Sequence, residues 1–511
     1  MVLKLHEWQT ECLNSWAKNN YRGIVNAVTG SGKTTLALAA IQCLHEIVDH
    51  ELRIKIVVPQ TFLASQWKEE IKQQLGAARA DIGVYHGKHK DIGKKYMIYV
   101  VNSARHSLAK HVLSDLNNGC AVLLIADECH HYGSMENNRI FDFYKVADQN
   151  APYYTLGLSA TPEIANFIAI TTPLGQEVHH YDFGRALRDR VINRFILYSI
   201  SLDLTATERV NYIELSERLS HCLASLMKMH PELKRMAPSQ FFAYLSKLSR
   251  QEGEAASIAH AATQLMFKRK ALCHMATERL PCTLSIVNAL PTQSRIILFC
   301  ERIKSAEALY HSLAEQYPKQ AGLYHSKMTD DIRQDVLERY KRGALRLLVC
   351  CKALDEGLNI PSTDAGIIVS TTSSARQRVQ RLGRMLRLSK KAKQIYYLYV
   401  GESSEEREFV TGLNTSADNI PLIALRYLER VFIHPEYEKL RKNVLEYVFR
   451  RRSDHALLSA LNQNLSRALL RGDFLLSESQ CRENLQNTHS ISGRNYWTSV
   501  LYVILSRLGK L

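Results

Sequence analysis

The run Thr29-Gly30-Ser31-Gly32-Lys33-Thr34-Thr35 gathers two glycines, one amine and four hydroxyls, and Asp127-Glu128 sets two carboxylates side by side. Glycines at 30 and 32 let backbone N–H groups close around phosphate oxygens, and a helix that opens there adds favourable partial charge for an anion. In such a loop Lys33 reaches the β- and γ-phosphates of a nucleoside triphosphate, and Thr34 places its hydroxyl on Mg2+. Thr29, Gly30, Ser31, Gly32 and Thr35 complete the cradle. An Asp at the end of a buried strand holds the same metal, so Asp127 is expected opposite Thr34. The adjacent Glu128 would then orient and deprotonate the attacking water. A third stretch, Gln380-Arg381-Leu382-Gly383-Arg384-Met385-Leu386-Arg387, spaces Arg384 and Arg387 three apart, so they neighbour each other on a helix. Planar guanidinium groups suit a phosphoryl transition state, where an arginine contributes on the order of 10³–10⁵ in rate.

These groups need rigid elements to hold them. The apolar, β-branched run Ile24–Val28 leads into the glycine loop, an Ala-rich helical stretch (Leu36 to Ile47) leads out, and the strand-like Ala121–Ala126 precedes the acid pair. Further strands are predicted at Arg53–Val58, Met97–Val101 and Tyr154–Ser159, with helices at Phe62–Leu75 and Ala104–Leu116. Alternation of this kind implies a parallel α/β sheet with crossover helices. From about 201 to 290 the pattern becomes long amphipathic helix with the basic cluster Lys268-Arg269-Lys270. After Pro291 the α/β alternation resumes, with strands at Arg295–Cys300, Arg346–Cys351, Ala365–Ser370 and Gln394–Val400. The tail is again helical. The expected domains are 1–200 (nucleotide-binding), 201–290 (helical insertion), 291–415 (second α/β unit) and 416–511 (helical accessory domain).

Over 511 residues, Lys+Arg 66 against Asp+Glu 50 leaves a net charge of +16, an excess that favours polyanions, nucleic acid first. No apolar run reaches membrane-span length, and the N-terminus is not that of a signal peptide. The 11 cysteines lack a Cys-x-x-Cys pair, which points to a reducing, cytoplasmic setting rather than a disulfide framework. Neither Cys129-His130-His131 nor the set His260, Cys273, His274, Cys282 has the spacing of a zinc site.

The loop at 27–34, Asp127-Glu128-Cys129-His130 and Leu158-Ser159-Ala160-Thr161-Pro162 together resemble the DExH branch of the superfamily 2 helicases and translocases. The resemblance covers about Leu5 to Val400, apart from the insertion, and is nearest in wording to XPB-type, RadD-type and restriction-motor translocases. It implies two tandem RecA-like parallel-sheet domains, with the helical insertion between them, the helical C-terminal domain after them, and ATP with Mg2+ as cofactors. Gln9 in Leu5-His6-Glu7-Trp8-Gln9 would read the adenine edge. Pro59, Thr61 and Gln66, then Asn102 and Ser103, would contact the nucleic-acid backbone, and Ser159 and Thr161 would couple the nucleotide state to the second domain. In the segment 351–361, Cys351 and Lys352 would meet the strand, and Gly357 and Asn359 the nucleotide. Cys351 stands where Thr or Ser is usual, and Asn359 where Asp is usual. Gln380, Arg384 and Arg387 would act on the γ-phosphate.

The function expected is an ATP-dependent helicase or translocase on nucleic acid, DNA favoured over RNA, in a repair or anti-phage setting. The insertion or tail would clamp the duplex or dock a partner protein. An RNA helicase or sensor is the alternative within the enzyme class. An ATP-gated clamp that recruits an effector without unwinding is the alternative outside it.

Overall fold

The structure, a computed structural model, describes residues 3–28, 30–87, 89–147, 151–160, 167–192, 195–236, 238–351, 363–370, 393–407, 421–450 and 455–511. Two compact units emerge, one over residues up to 192 and one from Phe195 onward.

The first unit is built on eight strands: β1 (Arg22–Ala27), β2 (Leu52–Val58), β3 (Ile82–His86), β4 (His89–Lys90), β5 (Tyr96–Val100), β6 (Ala121–Ala126), β7 (Tyr153–Ser159) and β8 (Glu177–Tyr181). Their order is β4-β3-β5-β2-β6-β7-β1-β8, parallel throughout except for β3 against β4. Every residue of β6 is buried, as expected of a parallel strand covered on both faces. Helices α1 (Glu7–Lys18), α2 (Lys33–Ile47) and α3 (Thr61–Leu75) flank the sheet. α2 buries Leu36 through Ile41 and Leu44, the small alanines allowing close approach to the strands. The helix predicted over Ala104–Leu116 is two pieces, Val101–Ala104 and Leu108–Asn117, broken at Arg105-His106-Ser107.

The second sheet contains β9 (Phe195–Leu202), β10 (Ile296–Cys300), β11 (Ala321–His325), β12 (Leu347–Cys351), β13 (Ala365–Ile368), β14 (Lys393–Val400), β15 (Leu422–Leu428) and β16 (Val431–Ile433). The order is β11-β12-β10-β13-β14-β9-β15-β16, again parallel but for the last pair. The first unit therefore ends before the boundary expected at 200. β9 pairs residue for residue with β14 and also with β15, so Phe195–Leu202 belongs to the second sheet. The accessory region is likewise not purely helical, because β15 and β16 extend that sheet. β15 alternates exposed and buried side chains, the signature of a half-covered strand.

Four helices follow, Pro435–Arg450, His455–Arg471, Glu478–Gln486 and Ile491–Arg507. They are bonded to the sheet: Tyr198 and Tyr396 donate to the Leu469 and Leu470 carbonyls at 3.2 and 2.7 Å. The insertion, with helices Ala206–Met229, Pro238–Leu248 and Glu254–His274, encloses its own small core of Leu219, Leu226, Leu245, Ala259 and Ala262. Among the described residues no helix is long and apolar enough to cross a membrane.

Candidate active site

In a parallel sheet the C-terminal strand ends face a common edge, where ligands bind. The loop after β1 lies on that edge. Gly30 and Gly32 adopt φ of 86° and 96°, which turns the chain sharply into α2. Gly32 is the helix N-cap, and its carbonyl accepts from Leu36 N at 3.0 Å. The first-turn amides of a 15-residue helix thus point into the loop. Ser31 is buried and donates to the Val28 carbonyl at 2.7 Å, bracing the turn. Lys33 Nζ lies back on the Ala27 carbonyl at 2.9 Å, while Thr34 and Thr35 are half-exposed in the first turn.

Gln9 reaches this loop from α1. Its Oε1 accepts from His6 N at 2.8 Å and its Nε2 donates to the Gly32 carbonyl at 2.9 Å. One amide hydrogen and one lone pair remain. A Cβ at Gly32 would meet Gln9 Nε2 at 2.8 Å, so the loop and α1 approach as closely as glycine permits.

The acid pair follows β6. Asp127 Oδ1 accepts from Glu128 N at 3.0 Å and Oδ2 from Trp67 Nε1 at 2.9 Å. Burial, and secondly the negative charge of Glu128, push the Asp127 carboxyl up to about 6, with the Trp67 N–H and Lys33 pulling the other way. Glu128 sits at φ 49°, ψ 49°, left-handed backbone that is uncommon for a residue with a side chain. Its Oε2 is buried, accepts no hydrogen bond among the described residues, and lies 3.5 Å from His130 Nδ1. The same nitrogen is 3.2 Å from Ser159 Oγ at the end of β7. Glu128, His130 and Ser159 therefore lie side by side across two adjacent strand ends, with a hydrogen bond between the last two. The donor set suits ATP with Mg2+: an oxygen-only pair, Asp127 and Thr34, for a hard cation, and a glycine cradle at a helix start for phosphate.

Pro59 and Thr61 follow β2, and Asn102 and Ser103 follow β5, so both stretches share the edge with the loop. Thr61 and Asn102 are exposed; Pro59, Gln66 and Ser103 are half-buried. Asn102 Oδ1 accepts from Arg105, which also donates to Asn137 and Glu136 at 2.8 and 2.9 Å, tying this turn to the chain beyond the acid pair. Cys351 closes β12 with its side chain in the hydrophobic core, so the thiol is not presented to a strand. Thr29, Thr161, Lys352, Gly357, Asn359, Gln380, Arg384 and Arg387 lie outside the described residues.

Two groups that sequence reasoning missed are Trp67, on the Asp127 carboxylate, and Arg105. The Gln-Trp pair at 66–67 marks the stretch, but nothing in its wording says that the indole faces an aspartate sixty positions away.

Residues 2–164 match the family described as type III restriction enzyme, res subunit, and residues 278–389 the helicase conserved C-terminal domain. A DNA 3'-5' translocase XPB2 of Sulfurisphaera tokodaii is 25% identical over 388 residues, 75% of this chain and 79% of the relative. A Rad25 protein of Haloarcula marismortui is 22% identical over 412 residues, and the chain spans 54% of its length. Among solved structures, S. cerevisiae Dbp5 bound to RNA and ADP BeF3 has a TM-score of 0.52 at 12% identity, covering 83% of this chain and 90% of that one. That likeness bears on the fold, tandem RecA-like sheets. With matches to both halves of a helicase core and these relatives, the chain belongs to the superfamily 2 helicases, related to the XPB and restriction-motor types.

Proposed function

We propose that this chain is an ATP-driven motor on nucleic acid, DNA in preference to RNA. One observation carries the reading: Asp127 and Glu128 stand side by side and half-buried at a strand end, the first fixed by two N–H donors, the second with an Oε2 that accepts no hydrogen bond among the described residues. Mg2+, when bound, would supply positive charge to offset that of the phosphates. Asp127 and Thr34 would hold it. Lys33 would leave the Ala27 carbonyl for the phosphates, and the first-turn amides of α2 would bind their remaining oxygens. Gln9 would meet the adenine with the valences left to it.

Glu128 would take the proton of the attacking water on Oε2, and His130 and Ser159 would pass its state to the neighbouring strand end. Gln380, Arg384 and Arg387, in the roles the resemblance implies, would offset the charge that develops on the γ-phosphate. Thr61, Gln66, Asn102 and Ser103 would grip the strand backbone without reading sequence, so binding should weaken steeply with salt. A net charge of +16 supports a polyanion track, and the relatives named for DNA support DNA. A cytoplasmic role in repair or anti-phage defence, with the insertion or tail clamping duplex or docking a protein, belongs to the same reading.

The test is steady-state ATP hydrolysis alone and with single-stranded, duplex and forked DNA and with RNA, using Glu128→Gln as control. Stimulation by DNA that Glu128→Gln abolishes is the expected result. Stimulation by RNA alone would transfer the motor to RNA. No stimulation by any of them would refute an autonomous motor.

A further inference from the structure

The buried stripe of α3 is Leu63, Ala64, Trp67 and Ile71, and the only polar atom any of these side chains carries is the indole nitrogen. Trp67 is 2% exposed, and its one hydrogen rests on Asp127 Oδ2 at 2.9 Å. Indole is a donor only, so this bond is the sole polar use the side chain has. At its other end α3 begins at the exposed Thr61, six residues or roughly 9 Å along a helix axis from Trp67. The strand leading into it is tied to the same aspartate: Asp127 N donates to the Val57 carbonyl at 2.9 Å, and the Tyr132 hydroxyl bridges the carbonyls of Val57 and Asp127 at 3.1 and 2.7 Å.

We propose that Trp67 is a positioning residue through which nucleic acid held at the start of α3 and metal–nucleotide held at Asp127 influence each other. The inference rests on the reading that α3 meets nucleic acid. A helix is stiff over two turns, so a shift of Thr61 or Gln66 under a bound strand is carried to Trp67. Trp67 hands it to Asp127 through a part-buried bond to a carboxylate, the strong kind. Both Asp127 oxygens are held before any metal arrives, so moving one donor turns the carboxyl plane. Such coupling is reciprocal: whatever factor nucleic acid applies to nucleotide affinity, nucleotide applies to nucleic-acid affinity.

Equilibrium binding tests this without turnover. The affinity of a fluorescent ATP analogue with Mg2+ is measured with and without saturating single-stranded oligonucleotide, and the affinity of a fluorescein-labelled oligonucleotide with and without the analogue. The wild-type chain is expected to show one coupling factor in both directions, on the order of 5–150-fold. Trp67→Phe, which keeps a ring and loses the donor, should bring the factor within about two-fold of unity while oligonucleotide affinity without nucleotide stays within about two-fold of wild type. Trp67→His, which keeps a ring N–H, should recover part of the coupling. An unchanged factor in Trp67→Phe overturns the proposal, and so does equal loss in the Phe and His variants. Wild-type chain that binds both probes without coupling overturns the proposal and leaves the motor reading standing. Wild-type chain that binds no oligonucleotide overturns both.

Discussion

Replacing Gly32 by alanine adds a methyl group where the backbone is left-handed and the space is taken. At φ 96°, ψ 33° an alanine bears roughly 1–2 kcal/mol of backbone strain that glycine escapes. The new Cβ would lie 2.8 Å from Gln9 Nε2, the atom that donates to the Gly32 carbonyl. Gln9 is 1% exposed and held at its other end by His6 N, so the amide cannot retreat and keep both bonds. Losing the Gly32 bond adds about 0.5–1.5 kcal/mol, for a total of roughly 1.5–3.5 kcal/mol. For a compact unit of this size that corresponds to a fall of about 3–14 °C in the melting temperature. Calorimetry on the full chain should show it in the transition that ADP shifts. Gln9→Ala removes the clash but not the strain. The double variant should therefore be less destabilised than the sum of the singles by about 1 kcal/mol. A Gly32→Ala chain that melts with wild type, or singles that add within about 0.5 kcal/mol, would refute this account of the loop.

Three further outcomes follow from buried charge. Because the Asp127 carboxyl is pushed up to about 6, Mg2+-dependent nucleotide binding should decline as pH falls through about 6. The stability contribution runs oppositely: a folded value above the ordinary 3.8 means the folded state holds the proton more tightly, so this group adds stability as pH falls from 7 toward 4, seen by melting the nucleotide-free chain across that range. On β2, Lys55 is 1% exposed and paired with Asp115 at 2.5 Å. Lys55→Met alone should cost about 3–5 kcal/mol in urea unfolding, and Lys55→Met with Asp115→Leu should regain most of it. In the second unit, Arg279 donates to Glu405 and to the Cys273, Val369 and Leu398 carbonyls while 3% exposed. Arg279→Leu removes the guanidinium from the buried Glu405 carboxylate, which keeps the Val400 N–H at 2.9 Å, so roughly 3–5 kcal/mol of destabilisation is expected, with hydrogen exchange rising first around residues 398–405.

The central strands are legible in sequence because a parallel strand buried on both faces must be apolar along its length, as Ala121–Ala126 is. Glu177–Tyr181 also pairs with β1, through a register shift between Ile24 and Val25, yet it reads Glu-Val-His-His-Tyr, polar enough for an edge strand to pass unseen. Phe195–Leu202 is mostly apolar, but that it forms a strand, and which sheet it joins, is decided by register with residues two hundred positions on. The same asymmetry holds at the site. The glycine loop and the Asp-Glu pair are local, so spacing alone exposes their chemistry. The Trp67–Asp127 bond and the row from Glu128 through His130 to Ser159 join distant segments, and no local pattern encodes them. The left-handed backbone at Glu128 is equally silent, since neither glycine nor asparagine stands there to announce it.

Two unfavourable terms meet at the acid pair. Glu128 holds a conformation that costs about 1–3 kcal/mol, and Asp127 carries a negative charge beside another. Both sit where a phosphate–metal group would bring positive charge and hydrogen-bonding oxygens. Elsewhere in the same unit a buried charge is answered within the protein, as Asp115 answers Lys55. At the acid pair two carboxylates stand together, with His130 Nδ1 3.5 Å from Glu128 Oε2. A site arranged this way should be stabilised by what it binds more than by its own contacts. At a hundred-fold excess over Kd, bound nucleotide contributes about 2.7 kcal/mol, the same size as the strain it would offset. Relief of that strain on binding and its return on release is what would let a small ligand move a strand-holding helix through a single indole.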